Sequence, residues 1–147
     1  MKDFNVILFG GEKIMVQEIK KFKDLNFKEN QIVQINGDDF TLVNLFNNAK
    51  ASIFPSLYEG FGLPLIESMY LNCPVICSNI KTFTEIAGDS VEYFNPKNYE
   101  SLINSIEKVV YNNEYTKKLI NKGKERASKF SWTHCALETN KIYQNLI

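Results

Sequence analysis

The sequence is poor in the residues that most enzymes use to move protons at neutral pH. It has one histidine, His134, which stands two residues after the single tryptophan, Trp132. A mechanism built on a histidine base or a histidine-rich metal centre therefore has one residue to work with, and a hydrolase triad within this chain is not expected. Cysteine is scarce too: Cys73, Cys77 and Cys135 are odd in number, and a C-x3-C pair with one distant thiol fits no common zinc pattern. They read as reduced core thiols. Charge of either sign is lacking in excess, since 17 Lys+Arg balance 17 Asp+Glu. No basic field marks a nucleic-acid or membrane-surface binder. Apolar runs of membrane-spanning length are also missing, and the run inside MKDFNVILFGGEK is too short for a signal-peptide core. A cytoplasmic chain is the expectation. Finally, that run is followed by Gly10-Gly11-Glu12-Lys13 and not by G-x-G-x-x-G, which argues against a nicotinamide dinucleotide site.

What is present is a core's worth of apolar residues, 44% of 147, enough for a single domain over 1–147. Asn5–Phe9, Ile32–Ile35, Ala51–Pro55, Pro74–Cys77 and Val91–Phe94 read as short strands, several apolar on both faces as buried parallel strands are. Between them Met15, Ile19 and Phe22 space one helix, and Phe40, Val43, Phe46 and Ala49 another. A third is expected from about Gly62 to Leu71 and a short fourth at Thr82–Ala87. The stripe Tyr99, Leu102, Ile103, Ile106, Val109, Val110 marks a fifth. The polar stretch 112–128 then precedes a last helix outlined by Trp132, Ala136, Tyr143 and Leu146. Repeated βα units predict an α/β fold with a doubly wound parallel sheet, in which ligands bind beyond the carboxyl ends of the strands.

One such end carries SLYEGFGLPLIESMY, residues 56–70, with Glu59 and Glu67 on either side of a glycine- and proline-bearing turn. Gly60 and Gly62 allow close approach of backbone to a ligand, and Pro64 suits a first helical turn. The amides of Phe61, Gly62, Leu63 and Leu65 are candidate free donors of a helix start, which favour a phosphate. Carboxylates beside a phosphate would instead face hydroxyl groups, accepting two hydrogen bonds from a vicinal diol. A nucleotide sugar offers a diphosphate with hydroxyls on both sides. The same spacing also suits a plain helix start, in which Glu59 caps, Glu67 pairs with a cation and the apolar neighbours are core.

From NVILFGG to FSWTHCALETNKIY the sequence resembles the C-terminal half of the retaining GT-B glycosyltransferases of the family 4, or group 1, type. FPSLYEGFGLPLIESM resembles the family's E-x7-E motif, PVICSN the strand after it, TEIAGDSVEYFNP the next strand-helix-strand step, and INGDDFTLVNLFNNA the segment before. FSW with Tyr143 is similar to the last helix. The resemblance implies a Rossmann-like sheet of about five strands that forms one half of a GT-B fold. It implies that Glu59 contacts the transferred sugar, in a catalytic role of stabilising donor and developing charge, and that Glu67 contacts the donor ribose. Backbone amides at Phe61, Gly62 and Leu63 would meet sugar and diphosphate, and the loop Ile35, Asn36, Gly37 would lie beside the base. The implied activity is hexosyl transfer from a nucleotide-diphosphate sugar to a glycan or lipid-linked acceptor, in polysaccharide biosynthesis. No metal and no cofactor are implied, and the expected place is the cytoplasm, including the inner face of the plasma membrane.

Family members also carry an N-terminal acceptor domain, a first strand and an Arg/Lys pair at the diphosphate, none of which has a counterpart here; Lys13 or Lys81 would have to replace that pair. The expectation is a donor-binding domain that is a fragment or one chain of a split enzyme, with a companion chain supplying the acceptor domain. Its own activity would be weak or absent. Rival readings are a non-catalytic nucleotide-sugar-binding module and an enzyme like a nucleotide-sugar 2-epimerase. Without the first strand, Asn5–Phe9 and Ala51–Pro55 are expected to pair directly, and the last helix to leave apolar surface for a weak homodimer.

Overall fold

A computed structural model describes residues 4–146, and each strand and helix that the apolar pattern predicts is found close to its expected place. The described residues divide into two units, one up to Asn44 and one from Leu45.

In the first unit, β1 (Val6–Phe9) and β2 (Ile32–Ile35) run parallel, Val6 opposite Ile32 through Phe9 opposite Ile35, joined through α1 (Val16–Asp24). Glu18 accepts the Met15 N–H at 2.8 Å and so holds the start of α1. The loop after β1 turns through Gly10 and Gly11, both with positive φ, 72° and 77°. Gln34 of β2 closes this loop: its side-chain amide donates to the carbonyls of Gly10 and Glu12 at 2.9 and 2.7 Å and its oxygen accepts the Ile14 N–H at 3.0 Å. β1 itself is uncovered, with Val6, Ile7 and Leu8 40–46% exposed, and α1 buries no residue. Helix α2 (Asp39–Asn48) begins at Asp38, whose carboxylate accepts the amide and the hydroxyl of Thr41 at 2.9 and 2.8 Å. Those bonds, the amide first, hold the Asp38 carboxyl below its ordinary range.

The second unit is built on three parallel strands in the order β3 (Ser52–Phe54), β4 (Val75–Ser78), β5 (Glu92–Phe94). The central strand β4 is buried at every position. Its side chains alternate between two cores. Val75 and Cys77 pack with Leu65 and Met69 of α3 (Leu63–Tyr70) and with Phe83, Ile86 and Ala87 of α4 (Lys81–Ala87). Ile76 packs with Val109 of α5 (Tyr99–Tyr111) and Leu119 of α6 (Asn113–Ala127). Each of the Val, Leu, Ile, Met and Phe side chains among these contributes about 1.5–3 kcal/mol through burial. Helix α7 (Trp132–Gln144) ends the described chain, capped by Ser131 on the His134 amide at 3.1 Å.

The strands pair in two ladders, β1 with β2 in the first unit and β3 with β4 and β5 in the second, all of them parallel as the α/β pattern implies. Two expectations are corrected. The polar stretch 112–128 is the helix α6, the longest of the described helices. Its buried seam is only Leu119, Gly123 and Ala127, one residue per turn, and two of the three are too small to register as an apolar stripe. At Gly123 a Cβ would stand 3.3 Å from the Met69 side chain, so α6 and α3 approach closely there. The second correction concerns the thiols, of which Cys73 and Cys77 are buried while Cys135 is exposed on α7. No residue of α7 is buried, and Trp132, Ile142 and Tyr143 stand largely in solvent.

Burial raises the pKa of both core thiols, that of Cys77 to about 12, so at pH 8 they stay protonated and unreactive as well as shielded. Ellman's reagent is expected to titrate one thiol per native chain at pH 8 and all three in denaturant. Rapid reaction of two or more in the native protein would contradict this core.

Candidate functional site

The loop between β3 and α3 holds most of the predicted site. Its course is set at Gly62, which precedes α3 with φ +97°, a left-handed conformation that side chains rarely adopt. A Cβ at Gly62 would also stand 2.8 Å from the Phe83 ring. Phe83 is fully buried and packs edge-on against Phe54 at the end of β3, ring centres 6.4 Å apart. One aromatic side chain of α4 thus backs both the end of the strand and the turn into the helix.

Glu59 lies half-buried in this loop. Its carboxylate accepts the Ser56 hydroxyl at 2.8 Å, and its backbone carbonyl accepts the Thr82 hydroxyl of α4 at 2.9 Å. Glu67 is exposed on the second turn of α3. Neither carboxylate points into a core, and Glu59 stands beyond the carboxyl ends of β3 and β4, where Thr82 reaches it. The N–H groups of Phe61, Gly62 and Leu63 have no acceptor among the described residues. The Leu65 amide, counted as a free donor on sequence, is not one: it donates to the Gly62 carbonyl at 3.1 Å and closes the first turn. Pro64, between them, has no N–H to give. The loop therefore offers three consecutive main-chain donors at the positive end of a helix, between two carboxylates.

The Phe61 ring, 47% exposed, rests edge-on against Phe130 with centres 6.2 Å apart. Phe130 in turn lies under the Arg126 guanidinium, which donates to the Ile86 and Glu85 carbonyls at 2.6 and 2.8 Å and closes the end of α4. Ile35, Asn36 and Gly37 belong to the first unit: Ile35 ends β2 half-buried, and Asn36 and Gly37 are exposed. Gly37 lies directly under the Thr41 side chain, 2.7 Å from where its Cβ would be. Lys81 is exposed at the start of α4, and Lys13 is exposed in the first unit.

Among the described residues no group of His, Cys, Asp and Glu could hold a metal ion, and no helix is long and apolar enough to cross a membrane. A cavity of about 300 Å³ lies elsewhere in the second unit, against Gly88, Ser90, Lys122 and Arg126. Its cations are committed, Lys122 to Asp89, Lys129 to Glu125 and Arg126 to the end of α4.

Residues 1–126 match the family described as glycosyl transferases, group 1. The chain belongs to that family. Among curated relatives, the O-antigen chain mannosyltransferase B of Escherichia coli is 32% identical over 74% of this chain and 28% of its own length. The O-antigen chain mannosyltransferase RfbU of Salmonella typhimurium is 43% identical over 72% of this chain and 31% of its own length. This group 1 chain thus corresponds to about a third of the length of such relatives. A solved glycosyltransferase from Rickettsia africae superposes with a TM-score of 0.81 at 21% identity, over 97% of this chain and 40% of its own. The fold is accordingly the α/β, Rossmann-like kind found in GT-B glycosyltransferases. The carboxylates and the amides of this group 1 loop stand out in the sequence. Ser56 and Thr82, which touch Glu59, do not: the first lies one turn away in sequence, and the second comes within reach only through the placement of α4.

The positive φ and the Phe83 contact together leave Gly62 little room for a side chain. Gly62→Ala is expected to lower the free energy of unfolding by about 1–3 kcal/mol, measured by urea denaturation. An unchanged midpoint and slope would show that the turn can be made another way.

Proposed function

We propose that this chain is the donor-binding domain of a retaining glycosyltransferase that uses a nucleotide-diphosphate sugar. The observation that carries the reading is the run of three unpartnered amides, Phe61 to Leu63, at a helix start flanked by Glu59 and Glu67. Family membership supports it, and so do relatives named as O-antigen chain mannosyltransferases. The diphosphate is taken up by the three amides and the positive end of α3. Glu59 accepts hydroxyls of the transferred sugar and Glu67 those of the ribose.

Transfer replaces the nucleoside diphosphate at the anomeric carbon by an acceptor hydroxyl oxygen with configuration kept. The hydroxyl proton leaves with the diphosphate. Donors fixed in place before the bond breaks stabilise the charge that develops on the leaving diphosphate, because they need no rearrangement as it forms. The acceptor is a glycan or lipid-linked sugar, held by an acceptor domain that completes the cleft. Mannose is the first sugar to test, given the names of the relatives. A cytoplasmic site of action follows from the same reading.

Calorimetry with GDP, UDP and ADP and their mannose and glucose derivatives tests the proposal. Binding is expected to be weak, on the order of 0.1–1 mM, as suits a site of main-chain donors without paired cations. Glu67→Gln is expected to weaken nucleotide and nucleotide sugar alike, and Glu59→Gln only the nucleotide sugar, each by roughly tenfold or more for the loss of a charge-assisted bond. Equal binding by both variants and the parent would remove the donor site from this loop.

A further inference from the structure

We infer that Ser56 and Thr82 are positioning residues for Glu59, the first fixing its carboxylate and the second its main chain. The inference rests on the reading of Glu59 as the residue that meets the transferred sugar, and it says how this chain holds that residue still.

No backbone amide from Leu57 to Leu63 has an acceptor among the described residues. A segment without internal main-chain bonds is free to fluctuate unless something else holds it. The loop after β1 provides the contrast, since Gln34 alone gives it three hydrogen bonds to main-chain groups. Between β3 and α3 the only side-chain hydrogen bonds that reach loop residues, among the described residues, come from Ser56 and Thr82, and both end on Glu59. They come from different directions: Ser56 follows the end of β3, while Thr82 stands on α4 beyond the end of β4. Apolar contacts secure the other end of the loop, Phe83 under Gly62 and Phe130 beside Phe61.

The two bonds divide the work. Thr82 donates to the Glu59 carbonyl and sets where its Cα stands. Ser56 donates to Oε1 and selects one orientation of the carboxylate, leaving Oε2 free to accept from a ligand hydroxyl. A carboxylate held in one rotamer before a sugar arrives loses less freedom on binding, so holding it favours the nucleotide sugar over the bare nucleotide. Thr82 belongs to the element whose Phe83 backs the turn, so α4 fixes Glu59 and the free amides relative to one another.

The test reads Glu59 directly. In isotope-labelled full-length chain, three-bond couplings about its χ1 are expected to report one rotamer. Ser56→Ala should average them and Ser56→Thr preserve them. Thr82→Val should lower the amide heteronuclear NOE across 58–61, and Thr82→Ser restore it, with melting temperatures confirming that each variant is folded. Calorimetry with GDP-mannose and GDP adds the functional arm. Ser56→Ala and Thr82→Val should each reduce the preference for the mannosyl nucleotide by about three- to tenfold, with no further loss in a Glu59→Gln background. A single Glu59 rotamer in Ser56→Ala, an unaltered NOE in Thr82→Val, or losses that add to that of Glu59→Gln would overturn the inference. Released Glu59 with unchanged preference would uphold the positioning and reject the sugar-contact reading, which separates the two.

Discussion

The second unit depends on one strand being covered on both faces. β4 has no exposed position, and its alternation sends Val75 and Cys77 to one core and Ile76 to the other. Helices α3 and α4 are thereby placed on one side and α5 on the other, and α6 contributes to both, through Ala127 and Leu119. Because the strands are parallel, every helix that follows a strand starts at the same edge. The loops after β3 and β4 must therefore meet there, and the meeting takes the form of Thr82 on the Glu59 carbonyl and Phe83 against Gly62. Free amides, left-handed glycine and carboxylate follow from the burial of a strand that carries no functional residue.

Much of this was legible in the sequence. The run PVIC is apolar without alternation, which is what a doubly covered strand requires, and the stripe from Tyr99 to Val110 has the spacing of a helix with one wet face. Glu59, Gly62, Pro64 and Glu67 named the turn, because glycine and proline have few other reasons to flank a helix start. What stayed hidden has physical reasons. Helix α6 packs through a glycine and an alanine, whose value lies in being small, and hydrophobicity does not record smallness. Leu65 looked like a free donor because position alone does not show that a first turn closes on its own cap. Thr82 acts across 23 residues of chain, and no local pattern marks such a partner.

The two units differ in how they are stabilised. In the second, apolar burial dominates. In the first, β1 and α1 keep their apolar side chains largely exposed, and directional bonds hold the turn: Gln34 on the loop after β1, Glu18 at the head of α1 and Asp38 at the head of α2. Such bonds are worth about 0.5–1.5 kcal/mol each and define geometry better than they supply stability. The exposed face of α7 has the same character, a well-capped helix whose apolar side chains meet solvent. The unit that carries Glu59 and the free amides is thus the one whose geometry rests on a packed core.

The central claim is that the free amides of the loop after β3 receive a diphosphate. Amide chemical-shift mapping with GDP-mannose on uniformly 15N-labelled chain tests it most directly, since it reads those N–H groups themselves and tolerates weak binding. The account predicts saturable shifts concentrated at Phe61, Gly62 and Leu63, with smaller ones at Glu59 and Thr82. Shifts confined to the cavity at Gly88 and Lys122, or an unperturbed loop at millimolar nucleotide sugar, would contradict it.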